Sequence, residues 1–294
     1  MAGVPRRAAA AISRGDHEAR PVAKNLLTMS AAAILFACAA RASFAAAPHV
    51  AISQQATSVQ AAPHETGPAH TTNAQPPGFL ALPPAGKGPG VLVLHAWWGL
   101  NGTIRDFCTR LAAAGFVVFA PDLYHGQVAD DIAGAEVLVR ALNAREVQVR
   151  AEIAEATRFL AERVYQPGGA LAVVGFSLGA AYALDLSIAD PEHVRSVVVF
   201  YGTGGDDFGR SKATYLGHFA ANDPYEPKSS VARLEASLHR AGRAVTFYHY
   251  PGTGHWFFEP DRTQAYDRAA ADLAWERTLR FLRDCAQQTE GVSR

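Results

Sequence analysis

A serine flanked by glycines, in the segment GFSLG at residues 175–179, is the strongest chemical signal in this sequence. An apolar run at residues 171–176 leads into it, and a run of small, helix-forming residues follows at once. This is the strand, sharp turn and helix that a G-x-S-x-G nucleophile motif requires. Because glycine lacks a Cβ, the strand and helix can approach closely and hold the serine on a strained turn. We therefore predict that Ser177 is an exposed nucleophile near the positive end of a helix.

A serine becomes nucleophilic when a base takes its proton and an acid orients that base. In the hydrolase order, the acid and then the histidine follow the serine along the chain. Asp223 closes the strand-like run TYLGHFAAND, and His255 follows the run at residues 245–250. Both are expected at strand ends, where the active sites of parallel sheets lie. We predict Asp223 as the orienting acid and His255 as the base.

Other acids and histidines compete for these roles. Asp206 and Asp207, in a glycine-rich loop, are alternatives for the acid. Asp122 precedes the serine and is interpreted as a turn residue. His95 ends a strand and could line the site, whereas His249 lies inside a predicted strand and is interpreted as structural.

Backbone amides and aromatic side chains are expected to complete the site. The oxyanion hole should pair the N–H of Leu178 with that of Trp97, in the loop HAWWGLN after the first core strand. Trp97, Trp98, Tyr124 and Trp256 could form an aromatic wall for an apolar acyl or alcohol group. Alternatively, the two tryptophans of HAWWGLN belong to the core.

Short apolar runs alternate with helical periods from residue 78 onward, which predicts right-handed crossovers and an α/β fold. We expect a doubly wound, mostly parallel sheet with helices on both faces. The predicted strands are residues 91–95, 116–120, 171–176, 196–201, 215–220 and 245–250, and the predicted helices are residues 103–114, 145–163, 178–189, 229–241 and 266–284.

The N-terminal part has a different character. Residues 1–47 contain basic residues, an apolar run at 26–40 and small-residue cleavage sites, which together predict a secretory signal peptide or N-terminal extension. Residues 48–77 are rich in Ala, Gln, Thr and Pro and are predicted to be a flexible linker. The folded domain is expected over residues 78–287. After signal removal we expect no stable membrane span.

Net charge and cysteine spacing bear on which classes of binding partner the sequence can have. The 294 residues have a formal net charge of zero and contain no Lys/Arg-rich block, which argues against nucleic-acid binding. The three cysteines, Cys38, Cys108 and Cys285, have no metal-ligand spacing. A disulfide between Cys108 and Cys285 and two unpaired thiols both remain open.

Several segments together carry a family resemblance. The segments are GPGVLVLHAWWGLN, GFVVFAPDLYHG, VGFSLGA, AANDPYEP, YPGTGHWFF and AWERTLRFL, in this order. From residue 78 to about residue 284 the chain resembles the dienelactone hydrolase family of α/β-hydrolases. The resemblance implies the α/β-hydrolase fold, a triad of Ser177, Asp223 and His255, oxyanion amides at Trp97 and Leu178, and no cofactor.

The sequence departs from dienelactone hydrolase itself at three positions. That enzyme has a cysteine nucleophile where this chain has Ser177, a glutamate where it has Ala96, and a substrate-binding arginine where it has Glu259. A second arginine falls in the segment 124–145, which does not align, although Arg140 lies there. If Glu259 faces the pocket, it adds negative charge and disfavours anionic substrates. The fold and triad therefore carry over, and the dienelactone substrate does not.

These observations predict a serine hydrolase that cleaves a small-molecule carboxylic ester or lactone through an acyl-enzyme. A thioesterase or peptidase on the same triad is an alternative within enzymes. A non-catalytic hydrolase-fold binding protein is an alternative outside them, although a binding protein has no need of all three triad residues. The signal peptide predicts a periplasmic or secreted protein, the alternative being a cytoplasmic one, and the sequence does not indicate the oligomeric state.

The export hypothesis predicts a shortened protein. Expressed with its native N-terminus in a bacterium, the protein should leave the cytoplasm and begin near Ser43 or Ala46, after the small-residue cleavage sites. Fractionation followed by N-terminal sequencing measures this. Recovery of a cytoplasmic protein that keeps residues 1–40 would contradict export.

Overall fold

A computed structural model of the protein describes residues 74–164 and 169–291, so the predicted signal peptide and most of the predicted linker lie outside the described residues. The strands in this part of the chain are β1 (Gly78–Ala81), β2 (Gly90–Leu94), β3 (Val117–Pro121), β4 (Leu171–Phe176), β5 (Val194–Phe200), β6 (Thr214–Ala220) and β7 (Val245–Tyr250). The helices are α1 (Gly102–Ala113), α2 (Ile132–Asn143), α3 (Glu146–Ala161), α4 (Leu178–Ala189), α5 (Lys228–Arg240) and α6 (Arg268–Gly291).

The strands form one sheet in the order β1-β3-β2-β4-β5-β6-β7. β1 pairs with β3 antiparallel, and the other pairs are parallel, with helices on both sides of the sheet. All five residues of β2 are buried, as expected for a strand covered on both faces. The strand order reverses between β2 and β4, which is where open α/β sheets place their ligand crevice. The predicted α/β class and mostly parallel sheet are confirmed.

Two elements were not predicted from the sequence. β1 is only four residues long and lies at the edge of the sheet, so it has no readable periodicity. α2 begins after Asp131, whose side chain accepts a hydrogen bond from the N–H of Gly134, a capping signal that the sequence does contain. In addition, α6 continues to Gly291, beyond its predicted end at residue 284.

The structure describes two of the three cysteines, Cys108 and Cys285. Cys108 and Cys285 are not joined in a disulfide, and burial raises the pKa of Cys108 to about 12. Cys38 lies outside the described residues. Within residues 74–164 and 169–291, no helix is long and apolar enough to cross a bilayer, and no cluster of three His, Cys, Asp or Glu residues offers a metal site.

Two glycines allow β4 and α4 to meet at the turn between them. A Cβ on Gly179 would lie 2.2 Å from the carbonyl oxygen of Leu94, at the end of β2. A Cβ on Gly175 would lie 2.3 Å from the carbonyl oxygen of Gly179. Such distances are far inside van der Waals contact, and the atoms involved are backbone atoms that cannot rotate away. The first turn of α4 therefore packs directly against the backbones of β2 and β4.

This close packing predicts that a side chain at Gly179 destabilises the protein. Alanine at an ordinary helical glycine stabilises a helix by about 1 kcal/mol, but at Gly179 the steric cost should dominate. We expect Gly179→Ala to lower the free energy of unfolding by about 1–3 kcal/mol, the usual cost of overpacking. Urea unfolding followed by circular dichroism measures it.

Gly102→Ala is the matched control. Gly102 also lies in the first turn of a helix, but a Cβ there would meet no atom within 4 Å. This variant should be neutral or slightly stabilising. Equal stability of the two variants would contradict the packing argument.

Candidate active site

Ser177 occupies the turn between β4 and α4 in a strained conformation. Its φ is 48° and its ψ is −111°, a region that residues with a Cβ rarely adopt. Its N–H donates to the carbonyl oxygen of Phe200, at the end of β5, over 2.9 Å. The turn is thus anchored on the neighbouring strand, and the half-buried Ser177 stands at the carboxyl edge of the sheet.

A continuous hydrogen-bond chain runs from the serine to a carboxylate. Ser177 Oγ lies 2.9 Å from His255 Nε2, and His255 Nδ1 lies 2.7 Å from Asp223 Oδ2. The side chains of His255 and Asp223 are 5% and 3% exposed, so bulk water barely reaches either group. With the proton on Nδ1 donated to Asp223, Nε2 is free to accept the serine proton. The arrangement can therefore activate the hydroxyl as a nucleophile.

A backbone hydrogen bond fixes the relative position of the loops that carry Asp223 and His255. Beyond the ends of β6 and β7, the N–H of Asn222 donates to the carbonyl oxygen of Thr253 over 3.0 Å. Asp223 Oδ1 accepts hydrogen bonds of 2.9 Å each from the N–H groups of Tyr225 and Glu226. Both carboxylate oxygens of Asp223 are thereby occupied, and its orientation towards the imidazole is fixed.

The alternative acids and histidines have other surroundings. Asp206 and Asp207 are exposed, and Asp207 accepts from the N–H two residues further on. Asp122 accepts from two N–H groups of its own turn. His95 is buried, and its Nε2 accepts from a backbone N–H, whereas His249 is exposed on β7. Among the described residues, Asp223 is the acid that contacts the histidine beside Ser177.

The two backbone N–H groups predicted for an oxyanion hole follow the ends of the neighbouring strands β2 and β4. Trp97 follows β2, and Leu178 is the first residue of α4, whose next residue packs on the end of β2. Neither N–H donates a hydrogen bond to another residue in the part of the chain that the structure describes. Backbone donors without an internal acceptor can stabilise a negative oxygen.

Aromatic rings surround His255. Trp97 and Trp256 are both half-buried and stack with ring centroids 5.8 Å apart. Tyr225 lies 5.2 Å from the imidazole and 4.9 Å from the ring of Trp256. Tyr225 was not predicted from the sequence, although its position two residues after the acid places it at the same strand end. The half-buried rings give this side of the site an apolar surface.

The remaining predicted pocket residues lie deeper. Trp98 is 2% exposed and has the guanidinium of Arg262 4.1 Å from its ring centroid. Tyr124 is 4% exposed and packs on His95. Both therefore lie in the core rather than on an open wall. Glu259 has no exposed surface, and burial raises its pKa to about 8, so it does not supply a pocket charge at neutral pH.

Most of the folded domain matches a known protein family. The dienelactone hydrolase family matches residues 77–286, which is most of the chain. The chain belongs to the dienelactone hydrolase family. The resemblance seen in the sequence is thereby confirmed, and with it the α/β-hydrolase fold. As a member, the chain is a hydrolase of esters or lactones.

Individual relatives are distant but cover most of the domain. A protein of Aquifex aeolicus named "Putative carboxymethylenebutenolidase" is 30% identical over 70% of this chain and 92% of its own length. A Bradyrhizobium protein named "Probable 2-oxo-3-(5-oxofuran-2-ylidene)propanoate lactonase" is 30% identical over 70% of this chain and 88% of its own. A solved structure of a Klebsiella pneumoniae protein named "Putative Dienelactone Hydrolase" superposes with a TM-score of 0.58 at 24% identity, over 72% of this chain and 89% of that one.

Proposed function

We propose that this family member is a serine hydrolase that cleaves a carboxylic ester or lactone through an acyl-enzyme, with Ser177, His255 and Asp223 as its catalytic triad. The observation that carries the proposal is the unbroken hydrogen-bond chain of 2.9 and 2.7 Å through these three side chains. The strained turn at Ser177 supports it, since backbone strain of this kind concentrates at active sites. No cofactor enters the proposed reaction.

The first half of the reaction forms the acyl-enzyme. His255 Nε2 takes the proton of Ser177 as Oγ bonds to the carbonyl carbon, and Asp223 stabilises the resulting imidazolium. The carbonyl oxygen becomes an oxyanion that accepts from the N–H groups of Trp97 and Leu178. The carbon–oxygen bond to the alcohol then breaks, and the imidazolium returns the proton to the leaving oxygen.

The second half repeats these steps with water. His255 takes a proton from a water molecule whose oxygen attacks the acyl carbon, and the same amides hold the second oxyanion. The bond to Ser177 then breaks, and the imidazolium returns the proton to Oγ. For a lactone, the released alcohol stays attached to the acyl chain, so the product is a single hydroxy acid.

The substrate proposed here is a neutral ester or lactone with an apolar acyl or alcohol group. The half-buried rings of Trp97, Tyr225 and Trp256 beside the imidazole support it. A thioesterase or peptidase would use the same three side chains and differ in its leaving group. Matched oxygen-ester, thioester and amide substrates with one acyl group distinguish these activities. We also propose that the protein acts after export, as its N-terminal sequence predicts.

Removal of the nucleophile is the first test. Ser177→Ala should lower kcat for p-nitrophenyl acetate and a small lactone by about 10⁶-fold, because only binding and oxyanion stabilisation remain. The half-buried hydroxyl contributes little packing, so the thermal unfolding midpoint should change little. A fluorophosphonate should label the unmodified protein and not the variant.

Ser230→Ala, on α5, is the matched control and should keep both activity and labelling. Substantial hydrolysis by folded Ser177→Ala would contradict the assignment of the nucleophile. An unmodified protein that neither turns over these substrates nor reacts with the fluorophosphonate would favour a non-catalytic binding protein.

The acid gives a second test. Asp223→Asn keeps the shape of the site but presents an amide to Nδ1, which favours the wrong imidazole tautomer. We expect kcat to fall on the order of 10⁴-fold. Steady-state kinetics of Asp206→Asn and Asp207→Asn provide the controls, which should retain activity. The reverse pattern would identify one of those residues as the acid.

A further inference from the structure

A buried tyrosine–glutamate pair lies beside His255, and the proposed reaction does not use it. The hydroxyl of Tyr201 donates to Glu259 Oε1 over 2.6 Å, and neither residue has any exposed surface. The Tyr201 ring lies 4.9 Å from the imidazole of His255. Tyr201 therefore packs against the histidine, and Glu259 holds the hydroxyl of Tyr201.

This hydrogen bond connects two strained segments. Tyr201 follows β5 with a φ of 38°, and Trp256, next to the histidine, has a φ of 66°. The N–H of Glu259 donates to the carbonyl oxygen of Trp256 over 2.9 Å, which closes the turn that directly follows His255. Side chains with a Cβ adopt such φ values only when their surroundings hold them. The Tyr201–Glu259 bond is one of the contacts that do so.

The surroundings of Glu259 favour its uncharged form. Tyr201 is the donor to Oε1, and Oε2 is buried with no hydrogen-bond partner among the described residues. An ionised carboxylate at this depth needs more donors than one hydroxyl. Asp261 opposes a negative charge on Glu259, and Arg262 favours it, but the guanidinium donates to Asp261 and to the carbonyl oxygen of Asp130. Burial is the largest cause that raises the pKa of Glu259, to about 8.

We propose that Glu259 is a neutral carboxylic acid which, through the hydroxyl of Tyr201, positions the imidazole of His255. Both are positioning residues, since they act through the histidine and need not touch the substrate. When Glu259 loses its proton, the new charge faces Asp261 on its own loop, which disfavours it. The strained turn is then expected to shift, and the imidazole with it. The catalytic consequence rests on the proposed function, whereas the charge state does not.

The charge state can be measured without any substrate. Carboxyl ¹³C NMR of the full chain labelled at glutamate, with Glu259→Gln to assign the signal, should reveal a carboxyl that titrates well above the ordinary value of 4.5. Titration near 4.5 would overturn the proposal.

The stability of the protein gives a second measurement. The native state should hold this proton where the unfolded chain has lost it, so stability falls as the pH rises from the unfolded pKa to the folded one. Unfolding by urea at several pH values should therefore give a decline between about pH 4.5 and 8 that is smaller in Glu259→Gln, where the contribution of Glu226 remains. Equal pH dependence in the two proteins would also overturn the proposal.

The positioning role of Tyr201 and Glu259 is tested by measuring kcat as a function of pH. In the unmodified enzyme kcat should fall above about pH 8, and Glu259→Gln, which resembles the neutral acid and still accepts from Tyr201, should shift that loss to higher pH. Tyr201→Phe should lower kcat about fivefold at pH 7 with KM within twofold, because one hydrogen bond contributes about 1 kcal/mol. A profile that is the same in the unmodified and Gln proteins would contradict the role.

Tyr215→Phe is the matched control for the tyrosine. Tyr215 is also buried, and its hydroxyl contacts the hydroxyls of Ser187 and Ser211, away from the histidine. This variant should lose stability comparable to that lost by Tyr201→Phe but keep the pH profile and kcat of the unmodified enzyme. If both tyrosine variants change kcat equally, the effect of Tyr201 is structural and the positioning role is wrong.

Discussion

The contact between the first turn of α4 and the backbones of β2 and β4 is the constraint on which the rest of the site depends. It requires glycine at positions 175 and 179, since a Cβ at either would overlap backbone atoms. At this turn Ser177 has a positive φ of 48°, and the N–H of Leu178, the first residue of α4, has no helical acceptor. One steric condition thus brings the proposed nucleophile and a proposed oxyanion donor to the same turn.

The other half of the site depends on pairing between β6 and β7. Their parallel register runs from Tyr215 opposite Val245 to Ala220 opposite Tyr250. The pairing continues into the loops, where the N–H of Ala221 donates to Tyr250 and the N–H of Asn222 to Thr253. Because backbone bonds set the separation of these loops, the 2.7 Å contact between Asp223 and His255 needs no strong charge attraction to form. Polar contacts of this kind complete a geometry that the sheet has already fixed.

The residues predicted from the sequence were those with local patterns. Ser177 has its flanking glycines, and Asp223 and His255 follow apolar strands in a fixed chain order, so each could be placed at a strand end. The Tyr201–Glu259 bond joins residues 58 apart in the sequence, and no local pattern reports it. Side-chain direction was equally hidden. The sequence left open whether Glu259 faces the pocket and whether Trp98 and Tyr124 line it, and in the structure all three are buried.

Three buried carboxyl groups, those of Asp223, Glu226 and Glu259, accept hydrogen bonds from different donors. Asp223 accepts from two backbone N–H groups and faces the imidazole. Glu226 accepts from the N–H and the hydroxyl of Thr203, and burial raises its pKa to about 7. Glu259 has one donor, and its pKa rises further, to about 8. Each donor stabilises the charged form of a carboxyl group, and Asp223 is the one of the three that is aligned with Nδ1. An imidazolium that forms on His255 therefore meets its counter-charge from the direction that leaves Nε2 facing Ser177.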